Sequence, residues 1–413
     1  MKTIEATFRI VTPMFLGGAD HSVTDGIRAP SVKGALRFWW RALNWRRLYE
    51  PDTAKALAAL HAEEARLFGA AAKTIDKEQA GGQGVFLLNV RHDELTSKKA
   101  GYIHEKFRSN DAARYLGYGL MVAFGSNNQM PPTTSGQLQR DCIDEGQEFV
   151  VSLLFRGEIV QSVRDALIFM GLVGGLGSRA RHGMGSIALI RFVEPNDTPN
   201  EWQAPLSAQE YDVQINQLFS RAADVEPSSG NTEPPFSAFW QESRIDRLLC
   251  GSSCFAALDD FARALLMYRS WGRSDAQGGS KVLGKASERR FDNDHKWFKD
   301  KPWARSHPGF HPRRVVFGLP HNYHKDHHHV VSENYERRSS PLLFHVHPIA
   351  HTFIGVGIFM PAKFLPTGER ISANGEFPAA NIDWSVITDF LDGKIGNPAT
   401  TINRFSGKTA VLP

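Results

Sequence analysis

One short stretch limits what this chain can fold into: Gly171-Leu-Val-Gly-Gly-Leu-Gly-Ser-Arg-Ala-Arg-His-Gly-Met-Gly-Ser186. Glycines are interleaved there with Arg179, Arg181 and His182. Glycine admits positive φ and lets a backbone come close to whatever lies beside it. Upstream, Val160, Val163, Leu167 and Met170 recur three and four apart, so the spacing predicts a helix over 159–173. Downstream, Ser186-Ile-Ala-Leu-Ile-Arg-Phe-Val193 reads as a strand. The order is therefore helix, glycine loop, strand.

That order excludes the usual nucleotide loops. A Walker loop or a dinucleotide fingerprint runs strand, loop, helix. Gly175, Gly177 and Ala180 fit G-x-G-x-x-A, but in the reversed context, and no Gly-Lys-Ser/Thr follows. Two readings stay open. The arginines and glycines form a phosphate-binding surface, since the guanidinium fork gives paired charged hydrogen bonds. Alternatively the stretch is a tight turn with exposed arginines.

The N-terminal half is legible around this loop. Ile4, Ala6, Phe8 and Ile10 alternate with Thr3, Glu5, Thr7 and Arg9, the pattern of a half-buried strand. Pro30 and Ser31 open a helix, with Ser31 as its expected N-cap. Val32, Ala35, Leu36, Trp39 and Leu43 make its apolar stripe, and Lys33, Arg37 and Arg41 lie four apart on another face. Ser31, Lys33 and Arg37 are a second phosphate candidate; the alternative is a solvated basic face on a core helix. A helix is expected at 53–68, a loop at 70–84, and strands at 85–90, 115–124 and 148–155. The segment 125–141 reads as a long polar loop. The resulting order, β, α, β, β, α, β with extra pieces, fits an α+β fold of ferredoxin-like type.

Residues 194–204 contain two prolines and few large aliphatics, which places a domain boundary near 195/196. Beyond it the spacing predicts a helix at 255–269, strands near 314–318, 341–346 and 352–360, and a late helix at 383–392. Residues 272–312 read as an irregular basic insert. From Arg273 to Arg314 there are eleven Lys/Arg against five Asp/Glu, interleaved with Phe291, Trp297, Phe298, Trp303 and Phe310. Such aromatics either stack on unpaired bases or cover the domain surface.

Composition closes off other classes. Net charge is only +4, so the placement of charge matters more than its total. Three cysteines make no disulfide framework and fit a reducing cytoplasm; Cys250 and Cys254 are half a zinc site at best. The first residues lack the apolar core of a signal peptide, and no run approaches the ~20 apolar residues of a membrane span. His321, His324, His327, His328 and His329 crowd one segment without a recognised ligand spacing, so no metal or cofactor is expected. His345 and His347 should share a strand face, and Asp20, His21 and Asp25 lie in an early loop. No hydrolase or zincin motif is present.

Two N-terminal segments carry a resemblance. Ile10-Val-Thr-Pro-Met-Phe-Leu-Gly-Gly-Ala19 and Ile27-Arg-Ala-Pro-Ser-Val-Lys-Gly-Ala-Leu-Arg-Phe-Trp-Trp-Arg-Ala42 resemble the opening of the first RAMP subunits of the Cmr complex, the type III-B CRISPR effector. Leu67-Phe-Gly69, the loop 174–186, Phe317-Gly-Leu-Pro320 and Arg337-Arg-Ser-Ser-Pro-Leu-Leu343 also resemble family segments. The resemblance implies two ferredoxin-like (RRM-like) domains, 1–195 and 196–413, with the basic insert in the second. It implies a non-catalytic subunit at the head of the complex, near the 3′ end of the guide RNA, helping to engage target RNA beside other RAMP subunits. Carried onto this chain, the RNA surface is Ser31, Lys33, Arg37, Arg41, Gly175, Gly177, Arg179, Arg181 and His182. Two alternatives remain: a RAMP endoribonuclease processing guide precursors through His21 or His182, and a scaffold whose basic surfaces meet only protein.

Overall fold

The structure, a computed structural model, describes the chain except residues 19–21, 49–51, 76–77, 127–130, 196–201, 223–232, 272, 275–279, 308–309, 311, 323–328, 374–381, 396–399 and 413. It is α+β, built on two four-stranded antiparallel sheets.

The first sheet uses β1 (Lys2–Ile10), which alternates buried and partly exposed residues as its sequence requires. Helices α1 (Ala29–Asn44) and α2 (Thr53–Phe68) follow. α2 is capped by Asp52, whose carboxylate accepts from the Ala54 and Lys55 amides. A hairpin, β2 (Gly69–Ile75) and β3 (Glu78–Gln83), occupies much of the expected 70–84 loop. The stretch has few large apolar residues to signal a strand. Next come β4 (Phe86–Arg91), β5 (Glu148–Phe155), α3 (Gln161–Val173) and β6 (Ile187–Val193). The sheet order is β4-β5-β1-β6. The strand expected at 115–124 is instead a short helix, Ala113–Leu116, and a turn. Asp259 in the second half accepts from the Ala112 and Ala113 amides at 2.8 and 3.0 Å and holds that helix start.

α4 (Ala208–Ala222) links the halves and packs on α3. Its Tyr211 hydroxyl donates to the Leu172 carbonyl at 2.8 Å. The second sheet is formed by β7 (Arg244–Gly251), then, after α5 (Cys254–Arg269), α6 (Asp292–Lys299) and α7 (Lys301–Ser306), by β8 (Leu342–Ile349) and β9 (Thr352–Phe359). Helix α8 (Ser385–Asp392) leads into β10 (Thr409–Leu412). The order β8-β9-β7-β10 repeats the first sheet's topology, with the first strand paired to the third and fourth. β8 is buried on both faces. Leu343 and Ile349 join the core shared with α3 and α4, while Leu342, Phe344 and Val346 pack with α5 and α8. Burial on both sides explains its near-continuous apolar run.

The strand expected near 314–318 is a 3-10 turn, Arg313–Phe317. Asp294 accepts from the Arg313 and Arg314 amides at 3.1 and 3.0 Å, which fixes the turn in place of a ladder. The insert is more ordered than its composition suggests. Trp297 and Phe298 are buried in a third, smaller core with Val315, Leu319, Val330, Phe364 and Ile371, and Trp303 and Phe310 pack against it. Phe291 is buried against Tyr268. Phe291, Trp297 and Phe298 are thus spent on protein contacts, while Trp303 and Phe310 stay partly exposed at the edge of that core.

Candidate nucleic-acid interface

The glycine loop lies in the seam between the two sheets. The Phe344 amide on β8 donates to the Arg181 carbonyl at 2.9 Å, and the Val346 amide donates to the Ser186 hydroxyl at 3.2 Å. From the first half, Thr12 Oγ1 donates to the Gly183 carbonyl at 2.6 Å and accepts from the Ser186 amide at 2.9 Å. The loop is therefore clamped by β8 on one side and by the segment after β1 on the other.

That placement explains the glycines. A Cβ on Gly183, at φ +85°, would sit 2.8 Å from Phe344 Cδ1 and 2.9 Å from Leu258 Cδ2. One on Gly185 would meet the Leu176 carbonyl oxygen at 2.1 Å, and one on Gly174 would meet the Met170 carbonyl oxygen at 2.3 Å. A Cβ on Gly175 would stand 3.0 Å from the Gly185 carbonyl oxygen, and on Gly177, at φ +88°, 2.7 Å from the Phe15 carbonyl oxygen. Each close approach is to protein. The expected reason for Gly175 and Gly177, access for a ligand, is replaced by backbone packing, although Gly177 itself is exposed.

The arginines are arranged differently. Arg179 is a non-glycine residue at φ +62°, a backbone state that favours glycine. Its Nε donates to the Tyr118 carbonyl at 3.0 Å and its side chain is exposed. Arg181 donates from Nη1 to the Ser340 carbonyl at 3.0 Å and lies over the Phe38 ring of α1, 5.2 Å from its centre. Burial, then the Arg338 charge, lowers the Arg181 guanidinium to about 10. Burial, then the Arg337 charge, also lowers Arg179. Arg338 donates from Nε to the Phe364 carbonyl at 2.7 Å. Arg179, Arg181, Arg337 and Arg338 thus meet across the seam, and among the described residues none forms a salt bridge with a carboxylate. Other arginines pair with acids: Arg244 with Asp246 and Asp392, and Arg263 with Asp259.

Helix α1 differs from its expectation. It starts at Ala29 with Pro30 in the first turn, so Ser31 lies inside the helix and is not its cap; Arg28 holds that position without a side-chain bond. Proline tolerates the first turn because its missing N–H would have no partner there. Arg37 Nε and Arg41 Nη1 both reach Glu64 Oε1 on α2, at 2.6 and 2.8 Å. The Glu64 side chain is 5 % exposed, so these two arginines neutralise a buried acid and brace α1 against α2. Lys33 has no anion partner among the described residues; burial and the Arg37 charge lower its ammonium. The nine expected residues therefore split. Arg179, Arg181 and His182 share the seam with Gly175 and Gly177, whereas Arg37 and Arg41 brace the helix pair and Ser31 and Lys33 lie in the first turns of α1.

His182 is partly buried, and burial followed by the Arg179 and Arg269 charges pushes its imidazole down to about 4. His345 and His347 do share a face of β8, but an interior one, with His345 Nε2 3.3 Å from His347 Nδ1. His21, Asp20, His324, His327 and His328 lie outside the described residues. Among the described residues no group of three or more His, Cys, Asp or Glu could hold a metal ion, and no helix is long and apolar enough to cross a membrane. The sequence reading missed Arg337, Arg338 and Tyr118 as site residues. The adjacent arginine pair was the available signal; nothing in the sequence aims it at residue 179.

Residues 7–188 match the model of the RAMP superfamily. That part of the chain is similar to RAMP-superfamily proteins. The structure of Cmr1 from Pyrococcus furiosus, in its apo form, is similar to it in fold: TM-score 0.56 and 17% identity, covering 100% of this chain and 99% of that one. A chain of the type III-B Cmr-β complex bound to cognate target RNA aligns with TM-score 0.48 and 11% identity, over 94% of this chain and 98% of that one. No curated protein matches in sequence. The fold, with its two antiparallel four-stranded sheets, is similar to that Cmr1 structure over the full length of this chain.

Proposed function

We propose that this protein is a non-catalytic RNA-binding RAMP subunit of a type III-B CRISPR effector. Both halves are read as ferredoxin-like domains, meeting near residue 195. Its place is at the head of the complex, near the 3′ end of the guide RNA and beside other RAMP subunits, where it helps capture target RNA.

The observation that carries this reading is the cluster of Arg179, Arg181, Arg337 and Arg338 in the seam, none of which forms a salt bridge among the described residues, with Glu233 acting on Arg338 only from a distance. Like charges held together with so little compensation repel, and a polyanion entering the seam removes that repulsion. Guanidinium groups suit phosphate, and phosphate contacts position a strand without reading its sequence. Base pairing between guide and target would do the reading. An imidazole pushed down to about 4 is neutral near pH 7, so His182 is unsuited to general-acid work but can still accept a proton; the non-catalytic part is tested by the cleavage assay below.

The test is the salt dependence of RNA binding by the full chain carrying Arg179→Ala and Arg337→Ala. Each lost phosphate contact lowers the slope of log K against log salt by ~0.7 for a single strand, so the pair should lower it by about 1.4. Between 50 and 200 mM salt that removes roughly a sevenfold part of the salt-induced weakening. An unchanged slope would overturn the reading, and so would cleavage of repeat RNA by the chain alone.

A further inference from the structure

The seam holds more than cations. Tyr118, in the turn after the short helix Ala113–Leu116, is 66% exposed. Its carbonyl accepts from Arg179 Nε, so the guanidinium is anchored along the Tyr118–Gly119 backbone. A Cβ on Gly119, at φ +83°, would lie 4.0 Å from Arg179 Nη2. Tyr115, one turn earlier, is partly exposed, and the Tyr115 and Tyr118 phenols are both near enough to act on the Arg179 charge. Arg337 faces the same guanidinium from the second half, in a segment whose Tyr335 is 49% exposed. No ring contact occupies Tyr118 among the described residues, unlike Trp297 and Phe298 of the insert, which are committed to a core. The protein thus leaves an aromatic ring exposed beside the unpaired arginines.

Resting on the RNA-binding reading above, the geometry points to Tyr118 as a stacking platform for one unpaired RNA base, with Arg179 and Arg337 holding the phosphates beside it. The occupant is a single strand and not a duplex. A base inside a helix shows only its edges, and its faces are covered by its neighbours. An unpaired base offers a whole face to a tyrosine, and stacking is tolerant of sequence. The site would therefore take an unpaired end or gap of an RNA strand and leave the paired guide–target region to the cationic contacts.

The experiment uses the full chain with Tyr118→Ala and Tyr118→Phe, and two probes: an unstructured oligouridine and a fully paired RNA duplex. At fixed salt, Tyr118→Ala should weaken oligouridine binding by roughly 5- to 150-fold, the loss of one stacked base, and leave duplex binding within about twofold. Tyr118→Phe should restore oligouridine binding, because the ring remains. The salt slope should not change in either variant, which separates this result from the arginine test. Equal weakening on both probes, no weakening on oligouridine, or failure of phenylalanine to restore binding would each overturn the assignment. So would loss of assembly with neighbouring subunits while oligouridine binding stays intact, which would make Tyr118 a protein contact. Because the side chain is mostly in solvent, the substitutions leave the fold in place, and Arg179 keeps its bond to the backbone carbonyl of residue 118.

Discussion

Replacing Gly183 by alanine should separate the packing role of the glycine loop from any ligand role. Two terms act. The residue sits at φ +85°, where a side chain costs roughly 1–2 kcal/mol. The added methyl would also stand 2.8 Å from Phe344 Cδ1 and 2.9 Å from Leu258 Cδ2. Phe344 cannot easily retreat: it is 2% exposed, and its ring stacks on Phe261 with centroids 3.9 Å apart and planes within 4°. Forcing a methyl into such a contact costs about 1–3 kcal/mol. Gly183→Ala should therefore destabilise the chain by roughly 2–5 kcal/mol. Gly146→Ala is the internal control, because Gly146 has φ +87° and nothing within 4 Å of its added Cβ. That variant should show only the backbone term, about 1–2 kcal/mol. The unfolded-state effect of a glycine-to-alanine change is common to both and cancels in the difference. Urea denaturation followed by circular dichroism measures each midpoint. If Gly183→Ala and Gly146→Ala shift it equally, the methyl meets no resistance, and the seam between the sheets is not packed as described.

Two further outcomes follow from the same structure. Trp297→Ala should cost about 3–5 kcal/mol, because the indole lies in the small third core, yet it should leave oligouridine affinity unchanged; a lowered affinity in folded protein would return the insert to the RNA surface. Acidification should destabilise the protein through His345. Burial pushes its imidazole down to about 3, below the ~6.5 of an unfolded histidine, so this contribution is complete above pH 6.5 and declines as pH falls toward 3. The slope from that one group is about 1.4 kcal/mol per pH unit, and His345→Gln should remove it from a urea titration series run across that range; an unaltered slope would refute the assignment.

The alternations and helical spacings of the individual elements were readable because each reports a single boundary, between a core side and a water side. Ile4, Ala6, Phe8 and Ile10 needed only that boundary to mark β1, and Val163, Leu167 and Met170 to mark α3. Where the local signal was weak or misleading, a distant residue was in control. Residues 314–318 look like a strand until Asp294 takes the Arg313 and Arg314 amides, and the Ala113–Leu116 helix is held by Asp259 from the other half. The missed α4 and β7 mix charged and apolar residues, because one links the two halves of the chain and the other carries ion pairs such as Arg247 with Asp212.

The same division runs through the candidate site. By itself the sequence determined that a glycine loop joins a helix to a strand, that arginines accompany it, and that a basic stripe runs along α1. Those facts follow from residue type and spacing within one element. Only tertiary structure decided which cations are already neutralised. Arg37 and Arg41 look as available as Arg179 and Arg181 until Glu64 is brought between them by the packing of α1 on α2, while folding places Arg337 and Arg338 opposite the loop with no salt bridge among the described residues. Charge is written in the chain, but its compensation is a matter of distance across the fold.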